Sequence, residues 1–357
     1  MHGKIKANVP KGGIRMKFNV GYQISDGWIP YVLENRERIG EVYFAWGDFP
    51  NGRARMSSAV EAMHPWEIQA RQLQDLQSLH DAGIGLDLLL NGTCYGAESQ
   101  SRALFERIGE TVDLLQERFG LSCVTTTSPL IARFLKNNFP DVKVRASVNM
   151  EIGTVEGMQY VAQYFDSFYM KRECNRDLAA IKTLTAWCAE NGKELGLLAN
   201  SGCLNFCSAH QFHDNLVSHE AEIAKMDNAY AFEGICHAFL KEPENLAAYL
   251  RITNFIRPED IALYEPYFKT AKLATRVNRA PIRVLRAYLE GRYVGSVMDL
   301  LEPSHAGIVA PRYIENSLIP ADFGKQTMNC SKSCAACGYC ERALAGATVS
   351  LGESYCI

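Results

Sequence analysis

"GLDLLLNGTCYGAESQSRALFERIGETVDLLQERFGLSCVTTTSP", residues 85–129, decides the fold. Its first eight residues form a short apolar run bounded by glycines, which reads as a strand. "ESQSRALFERIGETVDLLQERFG" then spaces its apolar residues along one face of a helix. "LSCVTTTSP" returns to the β-branched composition of a second strand. A strand, a helix and a strand in this order make the repeating unit of a parallel sheet.

The same unit recurs on both sides. Upstream, "MKFNVGY" and "EVYFAWG" read as strands, and "HPWEIQARQLQDLQSLHDAG" after the second reads as a helix ending at Gly83. Downstream, "LIARFLKNNFP" is helical, "KVRASVNM" is the fifth strand and "TVEGMQYVAQYF" its helix. "SFYMKREC" is the sixth strand, followed by the helix "RDLAAIKTLTAWCAENG"; "ELGLLANSG" is the seventh and "LRITNFIRP" the eighth. Eight units favour a closed (β/α)8 TIM-type barrel over an open doubly wound sheet. No Gly-x-Gly-x-x-Gly or phosphate-loop sequence follows any strand, which weighs against the open sheet. "FKTAKLATRVNRAPIRVLRAYLEGRY" then reads as a basic amphipathic helical stretch. The expected organisation is a barrel domain over 1–310 and a Cys-rich, metal-binding tail over 311–357. That tail is too poor in apolar residues for its own core, so it folds around a metal or against the barrel.

The 357 residues are 47% hydrophobic and 22% charged, as in a globular domain, and the net charge of -3 argues against broad attraction to nucleic acid. No apolar run reaches the roughly 18 residues of a membrane span. The basic N-terminus "MHGKIKANVPKGGIRMKF" has no apolar stretch of signal-peptide length, so a cytoplasmic location is expected. In such a reducing compartment the 12 cysteines point to metal ligands or reactive thiols rather than disulfides. Cys94, Cys123, Cys174, Cys188, Cys236 and Cys356 are isolated, whereas the others cluster.

In a barrel, the residues just after each strand line one mouth, where such enzymes place their chemistry. That ring reads Asn91 and Cys94, Thr125 to Ser128, Asn149 and Glu151, Lys171 to Cys174, Asn200, Cys203 and Cys207, then Arg257, Glu259 and Asp260. "SGCLNFCSAHQFH", residues 201–213, sets Cys203 and Cys207 four positions apart and adds His210 and His213. Three readings stand: zinc on two sulfurs and two nitrogens, an iron–sulfur cluster completed by Cys236, or two buried thiols. In the tail, Cys330, Cys334, Cys337 and Cys340 offer four thiolates in eleven residues, enough for zinc or a four-iron cluster. The first three repeat the spacing of radical S-adenosylmethionine enzymes, but they follow the barrel instead of its first strand and have Cys340 as a fourth ligand.

"YMKRECNRDLAAI", "ELGLLANSGCLNFC" and "NFIRPEDI", in this order, resemble the collagenase-like peptidase U32 family over roughly residues 75–300. The resemblance implies an oxygen-independent hydroxylase carrying a 4Fe–4S cluster, with Cys203 as the signature cysteine and Cys207 and Cys236 as further ligands. One cluster is implied and a second, in the tail, is the alternative. Cys94, Cys174 or an open iron would fill the fourth position. Prephenate is implied as the oxygen donor, an RNA base or a quinone precursor as substrate, and a homo- or heterodimer with a related protein as the assembly. The family's usual Tyr-Ser-Gly-x-Cys is missing, and the second cysteine comes early instead.

The leading expectation is therefore an iron–sulfur hydroxylase or oxidoreductase acting with a small acidic molecule. Arg172 and Arg257, with Lys171, would hold carboxylates, and Glu173 and His213 would transfer protons. A U32-type peptidase is the alternative, although no HExxH or Gly-x-Ser-x-Gly motif is present. A non-catalytic iron–sulfur partner subunit is the third class.

Overall fold

The computed structural model describes residues 16–52 and 63–352. The basic N-terminal segment and Cys356 lie outside the described residues. Eight parallel strands close into a barrel: β1 (Lys17–Gly21), β2 (Ile39–Phe44), β3 (Gly85–Leu90), β4 (Cys123–Thr126), β5 (Lys143–Ala146), β6 (Ser167–Tyr169), β7 (Glu194–Leu198) and β8 (Thr270–Leu273). Closure comes from β8 pairing with β1, Leu273 beside Val20. The quoted stretch folds as its pattern dictates. Helix Arg102–Phe119 buries Leu104, Ile108, Val112, Leu115 and Phe119, one stripe at helical spacing. Ser101 caps it by accepting from the Leu104 N–H, and Gly120 ends it in the left-handed region at φ 60. Ser128 and Asp177 cap the helices Pro129–Asn138 and Leu178–Glu190 in the same way.

The eighth strand is not where the pattern placed it. Residues 250–258 include the end of the short helix Tyr249–Ile252 and one antiparallel bridge, Thr253 to Leu204. β8 lies instead at Thr270–Leu273, inside the stretch read as helical, whose helix is only Pro281–Glu290. A lysine in a four-residue strand hides the signal, because Lys272 faces the barrel interior and is buried there. The β7–β8 connection therefore runs from residue 199 to 269 and carries the chain's first cysteine pair.

The barrel interior is polar. Arg145 on β5 donates to both Glu41 carboxylate oxygens on β2, at 2.6 and 2.9 Å, and to Asp87 on β3 at 3.2 Å. Its Nε donates to Ser167 on β6 at 3.1 Å, and Thr125 on β4 donates to Asp87 at 2.7 Å. Asn19 on β1 donates to the Tyr169 hydroxyl at 2.9 Å. The Lys272 ammonium sits 4.0 Å from the Tyr43 ring centroid. Charges this deep persist because each has a partner; one left alone would cost several kcal/mol, about 3–5.

A second apolar core lies outside the barrel. Leu240, Tyr249 and Leu250 of the long connection pack with Val297, Met298 and Leu301, and with Phe323, Ala343, Leu344 and Ala347 of the tail. β9 (Arg312–Ile314) and β10 (Thr348–Ser350) pair antiparallel beside it. The boundary expected at 310/311 falls within this shared core.

Candidate functional site

The C-terminal ends of the strands surround a cavity of about 70 Å³. Tyr43 lies near the end of β2, Asn91 follows β3, Asn149 β5, Arg172 β6 and Ser201 β7, while Lys272 and Arg276 come from β8 and the turn after it. Arg172, Lys272 and Arg276 give this lining three cationic groups against one carboxylate, Glu302. Burial lowers the Lys272 pKa to about 8; neighbouring Asp87 and Glu41 oppose that effect, whereas Arg276 and Arg145 reinforce it.

Arg172 stands where the sequence placed it. Its guanidinium donates to Asn149 Oδ1 at 3.2 Å and to His210 Nε2 at 2.7 Å. His210 Nδ1 meets Glu151 at 3.0 Å, so the ring fits the tautomer that donates from Nδ1 and accepts at Nε2. The next cavity, a cleft of about 580 Å³, shares Asn149 with the first and is lined by Glu151, His210 and Asp214.

Arg257 does not join Arg172. It is buried, pairs with Asp260 at 2.7 Å and donates to the Ile319 and Pro320 carbonyls at 3.1 and 3.0 Å. Pro258 opens a 3-10 turn that sets Asp260 three residues on, on the same face as Arg257, so this arginine fastens the tail to the barrel. Glu173 accepts from the Phe206 N–H at 3.0 Å and thus holds the Cys203–Cys207 loop, where Phe206 has a left-handed φ of 53. It supports this loop and does not line the mouth cavity. His213 packs edge-on to Phe232 at 5.5 Å; the histidine that reaches the site is His210, one turn earlier on the helix His210–Ser218. His210 and Asp214, four apart, share the face toward the cleft. Sequence reading missed Lys272 and Arg276 because it placed β8 too early.

The long connection carries Cys203, Cys207 and Cys236. Burial raises the Cys236 pKa, and Cys203 and Cys207 raise it further, so the three thiols lie within electrostatic reach. The Cys203 and Cys236 thiols also act on the buried Tyr249, whose hydroxyl is 3.3 Å from His305 Nδ1. Burial, with His237 nearby, lowers the His305 pKa to about 4, and its buried Nε2 has no hydrogen-bond partner among the described residues. No group of three or more His, Cys, Asp or Glu among the described residues is drawn together closely enough to hold a metal ion. In donor chemistry, three thiols outside any disulfide and a neighbouring neutral imidazole are ligand types of a thiolate-bound cluster. The two thiols considered for a fourth ligand point elsewhere, Cys94 to His219 and Cys174 to the Gly153 carbonyl at 3.8 Å.

Cys330, Cys334, Cys337 and Cys340 all line a separate cavity of about 340 Å³, with Arg251, Lys332 and Arg342 around it. Burial raises the Cys340 pKa to about 11, Cys330 and Cys334 adding to the effect and Arg176 opposing it.

No helix among the described residues is long and apolar enough to cross a membrane. No protein-family model matches the chain. An uncharacterized protease of Methanocaldococcus jannaschii is 24% identical over 276 residues, covering 72% of this chain and 75% of its own. The structure of the U32 peptidase Mk0906 superposes with a TM-score of 0.52 at 15% identity, covering 76% of this chain and 97% of its own. That likeness is one of fold. The sequence match to the archaeal protease is in line with the peptidase-family resemblance of the sequence.

Proposed function

We propose that this chain is an iron–sulfur enzyme that modifies its substrate by oxygen-independent hydroxylation or a related redox step, using a small acidic molecule bound at the barrel mouth. What supports the reading is that Cys203 and Cys207 lie within electrostatic reach of Cys236 on one long connection, and that Ser201, two residues before Cys203, lines the cavity with Arg172, Lys272 and Arg276. Cys203, Cys207 and Cys236 would hold a 4Fe–4S cluster, with His305 close by. A cluster with one iron open to ligand supplies a Lewis acid and an electron acceptor in one centre.

The chain's own residues do the rest. Arg172 offers a planar fork to one carboxylate, and Lys272 and Arg276 neutralise a second, as a dicarboxylate such as prephenate requires. Glu151 and Arg172 fix the His210 ring, so its Nε2 would accept a proton once a ligand draws the guanidinium away. An RNA base or quinone-type ring as the group modified follows from the family resemblance. Peptide hydrolysis is the second reading, favoured by the names of the two similar proteins.

Anaerobically purified protein should be brown, absorb near 400 nm and contain about four irons per cluster. Colourless, iron-free protein from iron-replete cells would sink the proposal. Binding of a dicarboxylate, followed by calorimetry, should weaken roughly 10- to 100-fold in Arg172→Ala. In the unmodified protein, affinity should fall as pH rises through about 8, where Lys272 loses its charge. Lys272→Met should flatten that pH profile; an unchanged profile would remove Lys272 from the anion site.

A further inference from the structure

The 580 Å³ cleft beside the mouth holds a second chemically competent group. Cys94, in the turn after β3, lines it together with His210. The Gly96 N–H donates to the Cys94 sulfur at 3.4 Å. His219, just past the helix His210–Ser218, sets its ring beside this turn and acts on the thiol, and its Nδ1 meets Glu222 Oε2 at 2.8 Å. The turn is fixed to that helix: the Thr93 N–H donates to Ser218 Oγ at 2.9 Å and its hydroxyl to Asn215 at 2.7 Å. Gly96 has φ +56, and a Cβ there would touch the His219 ring at 3.4 Å, so the imidazole roofs the turn. A thiol, an imidazole and a carboxylate in series, at the edge of an open cleft, form the arrangement that activates a nucleophile.

We propose that Cys94, His219 and Glu222 form a thiol-based reactive site that hydrolyses an acyl bond, amide or ester, of a substrate lying in this cleft. The site gives the second, hydrolytic reading its chemistry and is independent of the iron–sulfur reading. The Cys94 sulfur attacks the carbonyl carbon, forming a C–S bond. His219 passes its proton to the leaving amine or alcohol as the C–N or C–O bond breaks, leaving a thioester. Water, deprotonated by His219, attacks that carbonyl; the carboxylic acid leaves and the thiolate and imidazolium are restored. Only water is consumed. Both shifts run toward the charged pair: His219, then the Gly96 N–H, lowers the Cys94 pKa, and Cys94 and Glu222 raise that of His219. Glu222 opposes the thiolate from the near side. Across the cleft, Glu151 and Asp214 both lie against His210. Glu222 is largely exposed, so its share is small beside that of His219.

Iodoacetamide labelling of the full-length holoprotein across pH, read by peptide mapping, tests the proposal together with p-nitrophenyl acetate as acyl donor. Cys94 should alkylate at a lower pH than the other accessible thiols, and p-nitrophenol should appear in a burst with the acetyl group on Cys94. His219→Gln should move the alkylation profile up toward the ordinary thiol value of about 8.5 and slow labelling at pH 7 at least about fivefold. Glu222→Gln should change it less than His219→Gln. An alkylation profile unmoved by His219→Gln, or an acetyl group on another residue, would overturn the proposal. So would loss of iron in Cys94→Ser, which would make Cys94 a cluster ligand. Conversely, iron-free protein that still acylates Cys94 would remove the iron–sulfur reading and leave this one standing.

Discussion

Arg145→Met is expected to destabilise the barrel by about 3–5 kcal/mol, because it leaves buried Asp87 and partly buried Glu41 without their shared cation. The guanidinium is the only group that spans β2, β3, β5 and β6 in the described hydrogen bonds of this layer. Methionine keeps an apolar stem and removes the charge, so most of the loss is electrostatic, with a smaller share from the space the guanidinium leaves. Burial already raises the Asp87 pKa, although Arg145 opposes it. For Glu41 burial pushes upward too, but Arg145 wins and holds its pKa below the ordinary carboxylate value. Without Arg145 both carboxyls should titrate above their unfolded values, and a carboxyl raised in this way favours the folded state as acid protonates it. The deficit should therefore be largest near neutrality and shrink as pH falls toward about 4. Urea unfolding at pH 7 and pH 4.5 checks both parts. A deficit that grows in acid would show that these carboxylates do not depend on Arg145.

Serine at Cys203, Cys207 or Cys236 is expected to remove the iron of the mouth cluster, since loss of one thiolate opens a site that a hydroxyl fills poorly. The tail should behave as a separate centre, because its four thiols line a cavity of their own. Bare thiolates that close would repel one another, and a bound metal would neutralise them. If both centres are four-iron clusters, the protein holds about eight irons. Serine at Cys330, Cys334, Cys337 and Cys340 together should then leave about four. Zinc in place of the lost iron would show a zinc tail and one cluster. Deleting the tail is a poorer test than substituting its thiols. Truncation after Asp322 would also remove Phe323, Leu344 and Ala347 from the second core, so loss of iron could follow from unfolding. If the tail substitutions also stripped the mouth of iron, the two thiol sets would share one centre.

The alternation of short apolar runs with amphipathic stretches by itself determined the barrel. From β1 to β7 each strand lies within the run that announced it, apart from β2, which begins two residues before its run, because outward residues pack on helices and carry an apolar signal. The candidate metal ligands were likewise legible, since thiols are sparse and cluster in sequence. Tertiary structure alone decided β8, whose Lys272 is tolerable inside a barrel only beside partners on other strands. It also decided which arginine serves the mouth: Arg172 faces the cavity, whereas Asp260 captures Arg257. Cys94 and His219 are 125 residues apart in sequence, as are Thr93 and Ser218 just before them. Only closure of the barrel and the return of the long connection across its mouth bring that thiol to its base. Local pattern encodes which face of a segment is apolar; the partners of its polar groups depend on the path of the whole chain.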